Sequence, residues 1–298
     1  MKEITITQEI SGQRLDKYLA RYLGAAPKAF IYKMLRKKNI VVNGKRADGS
    51  LILIAGDIVT LYLADETIAR FTKSKAANEG PIDIIFEDEN IVIVNKQTNL
   101  LTQPDSPDGD SLTGRLRHLY AEAAFAPAAI NRLDRNTTGI VLCAKNLFSS
   151  QILSKLVHDR KIQKNYFAVV HGKISDEVLL EGIHTKDEKN NLAKIVPRGT
   201  IGREAVTKVT PIEYYAKKDV TVAKIGLETG RSHQIRAHLA SIGHPILGDS
   251  KYGGYGEFRQ MLHAYEIVFG EVGGVLKWLS GLGFNAPIPN DMKMYIRG

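Results

Sequence analysis

The 298 residues carry 41 Lys+Arg against 32 Asp+Glu, a net charge of +9 with a pI near 9.4, and 44% of them are hydrophobic. That balance suits one large folded domain plus a small one, excludes a disordered chain, and points to a polyanionic partner. No apolar run approaches the ~18 residues of a membrane helix, no apolar leader opens the chain, and the lone Cys143 excludes an internal disulfide or a cysteine-built zinc site, so a cytoplasmic protein is expected.

The charge is uneven: residues 1–80 hold 14 Lys+Arg and 8 Asp+Glu, which is most of the surplus. Residues 12–24 predict a short helix in which Leu15, Tyr18, Leu19 and Tyr22 or Leu23 share a face and Gly24 ends it. A second helix is expected over 29–37, with Ile31, Met34 and Leu35 inward and Lys33, Arg36, Lys37 and Lys38 outward. Ile40-Val41-Val42 reads as a strand entering the tight turn Asn43-Gly44, and further short strands are expected over 51–54 and 58–63. Residues 65–80 show no apolar period and read as a flexible linker.

From Pro81 the pattern changes. Strands over 82–86 and 91–95 flank an acidic turn, and a helix carrying Leu112, Leu116 and Leu119 follows. Next come a strand over 140–144, a helix with Ile152, Leu153 and Leu156, and strands over 166–170, 205–215 and 221–227. A last helix has Ser232 as its cap and Ile235, Leu239 and Ile242 as its stripe. Strands outnumber helices and several join through tight turns, so 81–298 is expected to be an α+β domain with a mainly antiparallel mixed sheet. Within Ile140–Ala144, Cys143 reads as a buried strand residue.

Two runs carry chemistry. Asn131-Arg132-Leu133-Asp134-Arg135-Asn136-Thr137-Thr138-Gly139 sets one carboxylate on a turn leading into a buried strand, where its charge must be compensated or its pKa rises. Glu228-Thr229-Gly230-Arg231-Ser232-His233-Gln234-Ile235-Arg236-Ala237-His238 crowds two arginines, two histidines and a glutamine near one helix, a set suited to phosphates and one buried anion. Taken alone, the second run equals a solvated basic face. His233 and His238, five residues apart, are not a metal pair.

Together the runs resemble the pseudouridine synthases of the RluA and RluD type, which isomerise uridine in RNA. Their hallmark His-Arg-Leu-Asp, two variable residues, Thr, Ser or Thr, and Gly is matched from Arg132 to Gly139, with Asn131 in the place of histidine. Lys164-Asn165-Tyr166-Phe167-Ala168-Val169-Val170-His171-Gly172 resembles the strand bearing the family's tyrosine. Gly230 to Arg236, followed by Gly243-His244-Pro245 and Gly248-Asp249, is a third match. Fainter ones lie at Val94-Asn95-Lys96 (before Gln97, where the family has proline), Leu262-His263-Ala264 and Phe284-Asn285-Ala286-Pro287. The likeness spans residues 81 to 298. Residues 1–64 resemble the small RNA-binding domain named after ribosomal protein S4.

The resemblance implies the pseudouridine synthase fold and a division into 1–64, a linker over 65–80, and a catalytic domain over 81–298. It implies Asp134 as nucleophile, Arg236 as its compensating charge, and Tyr166 stacked on the target uracil and helping to remove the proton from carbon 5. Arg132 would fill the space left by the extruded base or hold a phosphate. Thr137, Thr138 and Gly139 would shape the turn, and Arg231, His233 and Gln234 would touch the RNA backbone. In the S4-like module Arg14, Lys28, Lys33, Arg36, Lys37, Lys38 and Lys45 are the implied phosphate contacts, salt-sensitive and poor at reading sequence. The reaction is redox-neutral and loses no group, so no cofactor and no metal are expected. Large-subunit ribosomal RNA is the expected substrate, with transfer RNA second; no membrane partner and a monomer are expected. A non-catalytic RNA-binding assembly factor would keep its cellular role without Asp134. A nucleoside hydrolase would need a second carboxylate, for which Glu228 is the obvious residue, and would release uracil.

Overall fold

The computed structural model describes residues 1–298 except 25, 73–78, 107–108, 122, 124, 188–191, 198, 258 and 297–298. In the N-terminal part, α1 (Leu15–Tyr22) and α2 (Lys28–Arg36) pack on an antiparallel sheet ordered β1 (Lys2–Thr5), β4 (Ile58–Leu61), β2 (Ile40–Val42), β3 (Lys45–Arg46). Leu15, Leu19, Ile31 and Leu35 from the helix faces meet Ile40, Val42, Val59 and Leu61 in one core. Asn43 and Gly44 both take positive φ, 50° and 70°, the geometry a two-residue hairpin turn requires. The Asn43 amide also ties the turn to Asp57 and to the Ile58 N–H, both at 2.8 Å.

Two expectations fail here. Residues 51–54 form no strand, only a bridge from Ile52 to Arg14, because their backbone groups are taken by the loop before α1: Gly12 and Leu15 donate to Leu53 and Leu51, and Leu53 donates to Gln13. Residues 65–72 are no linker but α3 (Asp65–Thr72); Ile68 is buried in the N-terminal core and Phe71 packs on Phe30, 4.8 Å between centroids. Two apolar residues make too short a stripe for periodicity to register. Residues 73–78 of the expected linker lie outside the described residues.

Among the described residues the large part is an eleven-stranded sheet. Its path runs β11 (Leu192–Val196), β10 (Val178–Asp187), β12 (Arg203–Tyr215), β13 (Val220–Leu227), β9 (Ile162–His171), β14 (Leu262–Phe269), β8 (Thr138–Ala144), β6 (Ile91–Lys96), β5 (Ile84–Glu87). The short β7 (Ala128–Ala129) joins β8, and β15 (Gly283–Asn285) joins β14. Every pairing is antiparallel except β14 with β8. This is the mixed, mainly antiparallel α+β sheet that the strand-rich pattern predicts.

Both faces of the central strands are covered, as alternation along β8 shows. Val141 and Cys143 face a core shared with α4 (Leu112–Leu119) and α6 (Gln234–Ser241), while Ile140, Leu142 and Ala144 face one shared with α5 (Leu147–His158). Cys143 is fully buried, and burial pushes its thiol up to about 12, so it is inert packing as expected. Among the described residues no helix is long and apolar enough to cross a membrane.

The two parts share a core. Phe125 and Leu147 of the large part are buried among the N-terminal apolar residues, and the Arg21 guanidinium lies 4.8 Å over the Phe125 ring. Truncating Leu147 to Ala should therefore cost about 2–5 kcal/mol, the usual range for a buried leucine. Urea unfolding should show that loss in the N-terminal transition; unchanged stability would mean that the module does not lean on α5.

Candidate active site

Asp134 sits on the turn before β8, and that turn is fastened residue by residue. Thr102 Oγ1 accepts from the Leu133 N–H and donates to its carbonyl, at 3.0 and 2.9 Å. Lys96, at the end of β6 and only 1% exposed, donates to the carbonyls of Arg135, Gln97 and Leu100 at 3.1, 3.0 and 2.7 Å. Gln260 Nε2 donates to Thr137 Oγ1 at 2.6 Å, and Thr138 Oγ1 lies 2.9 Å from His263 Nδ1. Gly139 has φ +109°, and a Cβ there would fall 2.1 Å from the Ala264 carbonyl oxygen. Only glycine lets β8 approach β14 so closely. Thr137, Thr138 and Gly139 thus shape the turn.

Asn131 explains itself in the same terms. Its amide donates to the Ile140 carbonyl at 3.1 Å and accepts from the Leu142 N–H at 2.8 Å. It extends by one side chain the ladder that β7 makes with β8.

The compensating charge arrives from α6. Arg236 Nη1 donates to Asp134 Oδ2 at 2.8 Å, while its Nε and Nη2 grip both oxygens of Asp249 at 2.6 and 2.7 Å. The guanidinium also lies 4.8 Å over the Tyr252 ring. Burial opposes its charge, yet Asp249 and Asp134 together raise it above the ordinary arginine value. Asp249, not Glu228, is the second acid of the site. The residue was visible in the third motif, but nothing in its spacing shows that it meets Arg236; the Glu228 charge acts instead on Lys164.

Tyr166, on β9, is buried. Burial, and then the nearby Asp134 charge, push its phenol well above the usual value, so it stands as a neutral ring beside the carboxylate. Arg236 thus contacts Asp134, and the Tyr166 phenol lies near enough to feel the Asp134 charge. Lys96 lies beside Asp134 too, although the Val94-Asn95-Lys96 resemblance implies no role for it. Burial pushes its ammonium down to about 7, and Asp134 works in the opposite sense.

The α6 start differs from expectation. Its N-cap is His233, in the left-handed region at φ 52°, and not Ser232. Gln234 is buried with both ends of its amide spent: it donates to Val206 O and Thr207 Oγ1 and accepts from Thr229 Oγ1 and the Arg231 N–H, all at 3.0 Å or less. It locks the turn and has no group left for RNA, which corrects the expected backbone contact. Arg231 Nε donates to Glu204 O at 3.1 Å from a partly exposed position. Arg132 is exposed and, among the described residues, has no hydrogen-bond or ion-pair partner.

In the N-terminal part Lys28, Lys33, Arg36, Lys37, Lys38 and Lys45 are all exposed, and among the described residues none has a side-chain partner. Arg46 stands beside Lys45 and extends the set. Arg14 departs from it: the guanidinium forks onto Asp16 at 3.1 and 2.9 Å, with Tyr32 donating to the same carboxylate at 2.7 Å. That pairing lowers Asp16 from the ordinary carboxylate value.

The sequence profile of the family described as "RNA pseudouridylate synthase" matches residues 90–241, and that of the S4 domain matches residues 13–59. The chain belongs to the RNA pseudouridylate synthase family. The ribosomal large subunit pseudouridine synthase C of Haemophilus influenzae is 32% identical over all of this chain and 94% of its own length. The ribosomal large subunit pseudouridine synthase D of Escherichia coli K12 is 32% identical over 97% of this chain and 91% of its own. Human RNA pseudouridylate synthase domain containing 1 shares the fold at a TM-score of 0.57 and 22% identity, over 70% of this chain and 84% of that one.

This pseudouridine synthase supports its site on two buried neutral imidazoles, His263 under Thr138 and His238 on α6 beside Thr207. Burial pushes both down to about 4. The unfolded chain takes up these protons near pH 6.5 and the folded one does not, so the stabilisation is complete above that pH and is lost as pH falls towards 4. Each should account for about 2 kcal/mol of stability lost by pH 5. Urea unfolding between pH 7.5 and 5 should show that loss, with a shallower slope in His263→Asn.

Proposed function

We propose that the protein isomerises uridines of large-subunit ribosomal RNA to pseudouridine, with Asp134 as the nucleophile. The observation that supports this reading is the Arg236–Asp134 ion pair, with the buried Tyr166 phenol within electrostatic reach of the same carboxylate, from three separated segments. The names of the relatives of matching length support the choice of RNA. The site of action we infer is the cytoplasm.

A uridine inside folded RNA cannot reach Asp134, so it must leave its stack at a cost of a few kcal/mol. Unpartnered Arg132, next but one to the nucleophile, can take the vacated place. Asp134, held by Arg236 at one oxygen, attacks; the glycosidic bond breaks, the uracil turns, and carbon 5 takes over the bond to the sugar. One proton leaves carbon 5 and one reaches the nitrogen that gave up the sugar, so the sum is an isomerisation that consumes nothing. Tyr166, held as a neutral phenol, offers its ring to the base. Residues 1–72 act as the backbone-binding module through the exposed set from Lys28 to Arg46, and 81–298 as the catalytic domain.

Purified protein should release tritium from large-subunit ribosomal RNA transcripts carrying 5-tritiated uridine, with nothing added, and release less from transfer RNA. Asp134→Ala should abolish release while RNA binding stays within about twofold, since phosphate contacts supply most of the affinity. Full activity in that variant would defeat the assignment.

A further inference from the structure

The chemistry above leaves His233 without a part, yet its surroundings are more specific than a backbone contact needs. A non-glycine residue in the left-handed region is strained and persists only where its neighbours over-determine it. Three contacts do so. Its Nδ1 lies 2.9 Å from the Tyr252 hydroxyl, its ring meets the Tyr252 ring edge-on at 5.7 Å between centroids, and its Nε2 faces Asp134 Oδ1 at 3.8 Å.

The proton positions follow from the partners. The Ala193 N–H of β11 donates to the Tyr252 hydroxyl at 2.8 Å, which leaves the hydroxyl proton free for His233 Nδ1. The imidazole proton is then on Nε2, directed at the carboxylate oxygen that Arg236 does not hold. The opposite tautomer would set a lone pair against an anionic oxygen. The titratable and charged groups around the ring are Asp134, Asp249, Arg236, Lys251 and the Tyr252 phenol. Burial, with Arg236 and Lys251, outweighs the two carboxylates and holds the imidazole below its ordinary value, in the neutral form near pH 7.

We propose that His233, fixed by the Tyr252 hydroxyl, is a positioning residue that aims the nucleophile: its Nε2–H closes on Asp134 Oδ1 when the extruded uracil displaces solvent. The carboxylate is then gripped at both oxygens, by a cation at one and an uncharged donor at the other, with its remaining lone pairs turned to the uridine. A second cation would hold it as firmly but would draw off more of its nucleophilicity. Contacts of this kind are often long before substrate binds and tighten afterwards. The inference rests on the pseudouridine synthase reading above.

The test is single-turnover pseudouridine formation at saturating large-subunit RNA transcript, with the Kd for the same RNA measured alongside. His233→Phe, which keeps the ring and loses the donor, should be about 10- to 100-fold slower with an unchanged Kd, the scale of a misaimed reacting group. His233→Gln places an amide N–H near the Nε2 position and should return to within about fivefold of wild type. Tyr252→Phe, which keeps the ring under Arg236, should lie between them. The wild-type rate should fall as pH drops below the ordinary histidine range and the imidazole gains its second proton; His233→Gln should lack that limb. A wild-type rate in His233→Phe overturns the proposal. So does a raised Kd with an unchanged saturated rate, which would return His233 to the RNA backbone. Should His233→Phe fail to fold, a wild-type pH profile in His233→Gln overturns it equally. Wild-type protein that makes no pseudouridine would instead defeat the underlying activity.

Discussion

One guanidinium serves two carboxylates, the buried Asp249 and the partly exposed Asp134, and the site is organised around that shared charge. Arg236 gives Asp249 two N–H groups and Asp134 one. Asp249 is the anchor that sets the direction of the fork, and Asp134 keeps an oxygen and most of its lone pairs unclaimed. Removing Arg236 would strand two anions at once, and breaking even one such buried pair typically costs about 3–5 kcal/mol. Pairing the Asp134 charge and orienting its carboxylate are therefore one interaction.

The second constraint is mechanical. The turn from Arg135 to Gly139 contacts Lys96 and then the segment leading into β14 in register: Gln260 at Thr137, His263 at Thr138, Ala264 against Gly139. Beneath it Arg259 forks onto Asp291 and donates to the carbonyl of Gln260. A carboxylate on a loop thereby gains the rigidity of a central strand, because each residue after it is tied to a different neighbour in the sheet.

What the sequence could show was local. Apolar spacing located α1, α2, α4, α5 and α6, and the tight turn at Asn43-Gly44 was readable because left-handed geometry has a residue signature. Motif order singles out Asp134, Tyr166 and Arg236, and the structure pairs the first with the last. What remained hidden depends on contacts across many residues. The pairing of Arg236 with Asp249 needs the turn after α6 to fold back, and the burial of Gln234 depends on β12 lying beneath it. Strand β11 is the sheet edge and β10 lies next to it, and neither alternates cleanly between buried and exposed residues, so pattern alone does not reveal them. Arg14 looked like a free base because its acidic partner, Asp16, reads from sequence only as a helix-start residue.

The shared core at Phe125 and Leu147 bears on how a uridine would be chosen. With the N-terminal surface seated on the large part, the distance from its exposed lysines and arginines to Asp134 belongs to the fold itself, like the jaws of a fixed caliper. On the proposed reading, selection would then fall on the shape an RNA has already adopted, a uridine qualifying by its separation from a backbone handle.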